Sequence, residues 1–186
     1  MEMIKFENIC IRAIEKTDLK LLQEWRNDES LRRYFREYRE FSTMQKENWY
    51  EKMICDHRFE MFMIVDQKTD EPVGATGFTY IDWVNRHCDL HFYIGKNSAW
   101  IDEQYSLSAF KLMLHRGFNH LNMNKIWAEI YEIDSKKKIF FQNQGFSVDA
   151  RLRNHYYYDG KYHDSFILSM LEEEYEKGND NSCAPG

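Results

Sequence analysis

The sequence is sparsely punctuated. Two prolines and eight glycines occur in 186 residues, which excludes a collagen-like, proline-rich or glycine-linker chain. Its four cysteines, Cys10, Cys55, Cys88 and Cys183, are scattered and form no C-x-x-C pair. Neither a zinc ribbon nor a disulfide framework is expected, and a reduced, cytoplasmic setting is. No apolar run approaches the ~20 residues of a membrane-spanning helix, and no signal-peptide pattern opens the chain, so no membrane partner is expected. Basic excess is missing as well: 25 Lys and Arg against 31 Asp and Glu leave a net charge of -6. That is the wrong sign for a nucleic-acid surface, and no nucleic-acid partner is expected. His87 and His91 stand four apart, a helical spacing on a segment that reads as strand, so no metal site is expected.

What is present is a globular composition, 43% hydrophobic and 16% aromatic, long enough to bury a core. One domain over residues 1–175 and a polar, frayed tail over 176–186 are expected. "IKFENICIRAI" alternates as a strand, and Thr17 or Asp18 opens a helix with Leu19, Leu22 and Trp25 on one face. Ser42 and Gln45 are spaced as a capping box for a second helix. "EMFMIVDQ", "PVGATGFTYID" and "CDLHFYIG" form a three-strand meander. From about Glu103 to His120, Leu107, Phe110, Leu114, Phe118 and Leu121 recur with helical period. "NKIWAEIYEI" is a strand, "SKKKIFFQNQGF" a helix stopped at Gly145, and Asp159-Gly160 turns a closing hairpin. The order points to an α/β (α+β) fold with a mixed sheet.

These segments resemble the GNAT superfamily of acyl-CoA-dependent N-acyltransferases, in its ribosomal-protein and amino-sugar N-acetyltransferase branch. The resemblance is carried by "VGATGFTYIDWVNRHCDLHFYIG", "NKIWAEIYEIDSKKKIFFQNQGF" and "YYYDGKYHDSFILSML". "EWRND", similar to sugar-acetylating members, adds to it, and it covers about residues 4 to 171. It implies a strongly twisted mixed sheet with flanking helices and two splayed strands, with acetyl-CoA as co-substrate in the cleft. The pantetheine arm would pair with the strand edge at Phe92, Tyr93 and Ile94, and the pyrophosphate would cap the next helix.

That helix start is unusual. Asp102 and Gln104 fall where relatives carry glycine, and only Ser106 stays small. The main-chain donors survive the loss of glycine, because any residue except proline supplies an N–H. A carboxylate about 7 Å from a phosphate charge costs on the order of 0.5–2.5 kcal/mol. Gln104, Tyr105 and Ser106 are therefore candidate pyrophosphate ligands, expected to present free amides. Lys137 and Lys138, beside Lys136 at the next helix start, are candidate phosphate partners, and Phe141 lines the acyl slot.

Amide formation needs a base for the amine, a polarised thioester carbonyl and a proton for the leaving sulfur. By the resemblance, Asp89 is the first candidate base, with His91 two residues along on the same strand face. Asp134 orients the amine or caps its helix. Phe141 stands where relatives carry a proton-donating tyrosine, and Tyr131 and Tyr80 are the available substitutes. On the acceptor side, Arg26, Tyr38 and Trp83, with Arg33 and Tyr34, suit an anionic and ring-bearing ligand. The expected activity is acetyl transfer to a primary amine of a small molecule, for example a nucleotide-linked amino sugar, by a monomer or homodimer; a peptide N-terminus or a small polyamine fits the same acceptor geometry. A rival is a non-catalytic GNAT-fold binding protein with a degenerate coenzyme loop. A third is a transferase of bulkier acyl groups, with Phe140 and Phe141 lining the slot.

Overall fold

The computed structural model describes residues 4–180; Cys183 and the rest of 181–186 lie outside the described residues. Eight strands follow the order β1-β2-β3-β4-β5-β6-β8-β7 in a mixed sheet. They are β1 (Ile4–Phe6), β2 (Ile9–Ala13), β3 (Glu60–Asp66), β4 (Pro72–Asp82), β5 (His87–Ile94), β6 (Lys125–Tyr131), β7 (Ser147–Tyr158) and β8 (Lys161–Leu171). The helices are α1 (Leu19–Asn27), α2 (Glu29–Arg32), α3 (Thr43–Cys55), α4 (Ser106–His115), α5 (Ser135–Asn143) and α6 (Glu172–Asp180). The chain forms two compact units. One holds the residues up to Tyr80 with Leu90–Met113, the other Ile81–Asp89 with the chain from Leu114 onward.

In the first unit, β2, β3 and β4 form an antiparallel meander, with Ile9 opposite Asp66 and Ile11 opposite Ile64. Consecutive residues of β2 and β3 are buried, Ile9 to Ile11 and Met63 to Val65, so these strands are covered on both faces, and Phe78, Phe92 and Phe110 are buried with them. The expected first strand is instead a hairpin. Glu7 takes φ 51, and β1 folds back to pair Ile4 with Ile11. Nothing in "IKFENICI" marks that turn by glycine, so alternation alone reads straight through it. Helix α1 buries Leu19, Leu22 and Trp25. The capping box forms as spaced: the Ser42 hydroxyl accepts from Gln45 N and the Gln45 side chain accepts from Ser42 N.

In the second unit, β6 pairs antiparallel with β8 and β8 with β7, while the first residues of β5 pair parallel with β6. Asp159 and Gly160 adopt φ 50 and φ 77, the doubly left-handed turn that matches strand twist. Helix α5 ends in a Schellman arrangement, Phe146 N donating to Phe141 O and Gly145 N to Gln142 O. The long helix expected from Glu103 begins only at Ser106 and closes with a π-helical turn over Arg116–His120. Part of the expected frayed tail, through Asp180, is helical in α6, where Tyr175 stacks on Phe118 at 4.8 Å. No helix among the described residues is long and apolar enough to cross a membrane.

Candidate functional site

The start of α4 is closed by its own aspartate. Asp102 Oδ1 accepts from Tyr105 N, Ser106 N and Ser106 Oγ, each at 2.9 Å, and Asp102 N donates to Ser106 Oγ at 2.9 Å. The first main-chain helical bond here runs from Ala109 N to Tyr105 O. The expectation that the Tyr105 and Ser106 amides stand free is thereby corrected. A short acid four residues ahead of the first helical residue satisfies orphan donors as an anionic ligand would. A phosphate reaches these two donors only by displacing the carboxylate. Gln104, though exposed, is also engaged: its Nε2 donates to the Tyr105 hydroxyl at 2.8 Å, and its main-chain carbonyl accepts from Asn8 Nδ2 at 2.7 Å. The Tyr105 hydroxyl donates to Asp66 at 2.7 Å. Burial, then that bond, pushes the Tyr105 phenol up to about 12.

On β5 the parallel register with β6 covers His87, Cys88 and Asp89, with Asp89 opposite Trp127. Asp89 is buried. His91, half-buried, packs on Phe35 and Tyr93 at 6.0 Å between ring centroids. Its carbonyl accepts from Thr76 Oγ1, and Gly95 N donates to Val73 O, so the odd-numbered residues turn their main chain toward β4. Of the three proposed edge positions, Tyr93 therefore faces β4. Ile94 exchanges both of its main-chain bonds with Trp100 at 2.9 Å. The return loop bends through Asn97, Ser98 and Trp100, all at positive φ, and rests on Gly95, where a Cβ would stand 2.1 Å from the Trp25 indole. Phe92 is buried against Phe110 at 5.8 Å.

In the second unit Asp134 is the N-cap of α5, its carboxylate accepting from Lys137 N at 3.1 Å. Lys137 is buried, and the Lys138 ammonium lies 3.3 Å over the Phe166 ring. Lys136 is exposed. Phe141 is fully buried and packs edge-on against Phe146. Tyr131, a candidate proton donor, lies flat on Tyr156 at 3.9 Å. Trp83 is partly exposed, on the turn organised by Asp82 accepting from Val84 N and Asn85 N.

On the acceptor side of the first unit, the Arg26 guanidinium lies 3.6 Å over Phe35. Phe35 in turn meets Tyr93 and Trp100 edge-on at 5.0 and 5.1 Å. Arg33 stacks over Tyr34, which stacks on Trp100. Tyr38 is 74% exposed and stands apart from this aromatic cluster, as does Tyr80, which meets Phe59 and Arg36. Two residues escaped the sequence reading. Trp100 pairs Ile94 without any strand pattern to announce it. Lys46 occupies the buried face of α3 with Tyr50 four residues on, and that helical spacing was the available signal.

Set beside known proteins, residues 8–147 match the model of the acetyltransferase (GNAT) domain, and the chain belongs to that family. Among curated relatives, it is 25% identical over 179 residues to the uncharacterized N-acetyltransferase p20 of Bacillus licheniformis, covering 94% of this chain and 99% of that one. It is 22% identical to the spermidine N(1)-acetyltransferase of Escherichia coli (strain K12), covering 90% and 88%. Among solved structures, the spermidine N-acetyltransferase of Vibrio cholerae in complex with CoA and spermine superposes with a TM-score of 0.84 at 21% identity, covering 91% and 98%. The fold is thus the mixed-sheet GNAT fold. Two of these three relatives are named as spermidine acetyltransferases, so the expected placement in the ribosomal-protein and amino-sugar branch is replaced by the family as a whole. GNAT acetyltransferases take acetyl-CoA as co-substrate.

Proposed function

We propose that this chain is an acetyl-CoA-dependent N-acetyltransferase that modifies a primary amine of a small molecule, and that Asp89 and His91 serve as its proton acceptors. The observation that carries the reading is their position on β5. Parallel pairing with β6 ends at Asp89, and the two side chains alternate onto one strand face. Acetyl-CoA supplies the thioester. The amine nitrogen forms the new C–N bond, the C–S bond breaks, and the sulfur leaves as thiolate to be protonated. Asp89 or His91 removes the proton that the ammonium must lose before attack. An N–H on the β5 edge, at Phe92, polarises the carbonyl. Phe141 has no proton to give, so the thiolate is protonated by Tyr131, Tyr80 or water.

Tyr105, Ser106 and Gln104 are the proposed phosphate ligands once Asp102 swings aside, with Lys137 and Lys138 as cationic partners. Asp134 holds the front of α5 and through it the amine-facing turn. Arg26, Tyr38 and Trp83 are the proposed acceptor contacts. A cytoplasmic monomer or homodimer fits the composition. Titration calorimetry with acetyl-CoA and CoA, followed by thiol release with a panel of amines, tests the proposal. Micromolar binding and amine-dependent release are expected. Asp89→Asn is expected to lower turnover at unchanged CoA affinity, and the reverse pattern would move the base elsewhere.

The Asp102 cap favours a second reading, a GNAT-fold binding protein whose helix front is permanently satisfied by its own carboxylate. No heat with CoA at millimolar concentration would select it.

A further inference from the structure

Two cations of the first unit share one aromatic ring and have no acid between them. The Lys46 ammonium lies 3.7 Å from the Trp49 centroid and 5.8 Å from that of Phe41. The Arg26 guanidinium lies 5.6 Å from the same Phe41 centroid. Lys46 is only 5% exposed. Among the described residues neither cation makes an ion pair or a side-chain hydrogen bond. Glu37 is the one acid that acts on Arg26, and it is already held by Arg39 at 2.7 and 2.8 Å. The neighbouring Tyr93 phenol is pushed up to about 12 by burial and stays neutral. Burial, then the Arg26 charge, brings Lys46 down to about 7, and burial lowers Arg26 as well.

Buried like charges without a counter-ion are costly, and ring faces offset only part of that cost. An anion completes the arrangement. Lys46 also lines a cavity of about 810 Å3 between α1 and α3, the size of a small-molecule site. Three glutamates, Glu24, Glu47 and Glu51, and two more lysines, Lys16 and Lys20, also line it, and all five are exposed. The buried charge is Lys46. Arg26 stacks on Phe35 at 3.6 Å, and Phe35 meets His91 at 6.0 Å, so a single ring links one of the two cations to the proposed base.

We infer that the acceptor amine carries an anionic group, a phosphate or carboxylate, gripped by Arg26 and Lys46, and that Lys46 is the residue that turns this chain away from polyamines. The inference rests on the transferase reading for the word acceptor; the anion site does not. A polyamine brings two or more positive charges to a place that already has two, which like-charge repulsion opposes.

Two measurements test it. Thiol release from acetyl-CoA is followed with matched amines: glucosamine 6-phosphate against glucosamine, 4-aminobutyrate against its amide, and spermidine. The anionic member of at least one pair is expected to have a kcat/KM at least tenfold higher. That ratio should fall toward one in Lys46→Met and persist in Lys46→Arg, which also controls for folding. Separately, inorganic phosphate at constant ionic strength should raise the melting temperature of the wild type and of Lys46→Arg, and not that of Lys46→Met. Transfer that prefers spermidine, or a phosphate shift identical in all three proteins, overturns the inference. A Lys46-dependent phosphate shift with no transfer to any amine keeps the anion site and removes the transferase reading instead.

Discussion

The helix starts of α4 and α5 are built from the same device used to different depth. At α4, Asp102 takes three donors through one oxygen at 2.9 Å. At α5, the Asp134 carboxylate accepts from Lys137 N at 3.1 Å, and three lysines, Lys136 to Lys138, follow it. Both caps satisfy amides that a helix cannot satisfy internally. The first, however, sits where the family's coenzyme phosphates are expected, and it carries the same charge as they do. Loss of glycine leaves the donors in place and changes who occupies them. A helix front can thus remain a sound anion site in its main chain while being filled by its own side chain.

The comparison breaks most sharply at Asp102→Gly. Removing the carboxylate and its charge should tighten CoA binding about tenfold, roughly 1.4 kcal/mol, while costing the fold on the order of 1–3 kcal/mol for the donors it leaves. Calorimetry and a denaturant melt read the two effects. CoA affinity that does not improve would mean the carboxylate is no obstacle. Asp134→Ala should instead lower stability by about 1 kcal/mol and leave CoA affinity within twofold. A tightening like that of Asp102→Gly would erase the difference between the two helix fronts.

Smaller effects sharpen the picture around α4 and α3. The Tyr105 hydroxyl and the amides of Lys68 and Thr69 hold the Asp66 carboxyl below its ordinary 3.8. Their contribution is present above that value and lost as pH falls through the lower folded pKa. Tyr105→Phe should make acid unfolding begin at higher pH; an unchanged acid midpoint would show the bond to be idle. Lys46 titrates near 7 in the fold against an ordinary 10.5. Across that window the unfolded chain binds more protons, so stability rises with pH, and below 7 the cost is constant. Lys46→Met should flatten this slope, a change that pH-dependent chemical denaturation detects.

Much of the fold was legible because it is local. Ser42 and Gln45, Asp159-Gly160, and the stripe of Phe110, Leu114 and Phe118 each act within a few residues and appear where spacing puts them, whereas Leu107, expected on the same face, is exposed. The break at Glu7 was not, since a left-handed glutamate leaves no compositional mark. The site was legible as a set of residue types more than as geometry. Asp102 and Asp134 were visible as acids at helix starts, but which amides they close depends on side-chain reach. Trp100 meeting Ile94 depends on a loop of residues at positive φ.

Sequence by itself determined the element types, the caps and turns, and the family pattern running through β4, β5, β6 and α5, because these rest on periodicity and short-range hydrogen bonding. Only the tertiary structure decided that the α4 amides are already satisfied, that Ile94 has its main-chain partner, and that Lys46 and Arg26 meet on one ring without an acid. The first two turn on side-chain reach and loop conformation within a few residues, and the third on burial and on contacts of α1 and α3 with Phe41; periodicity encodes none of them.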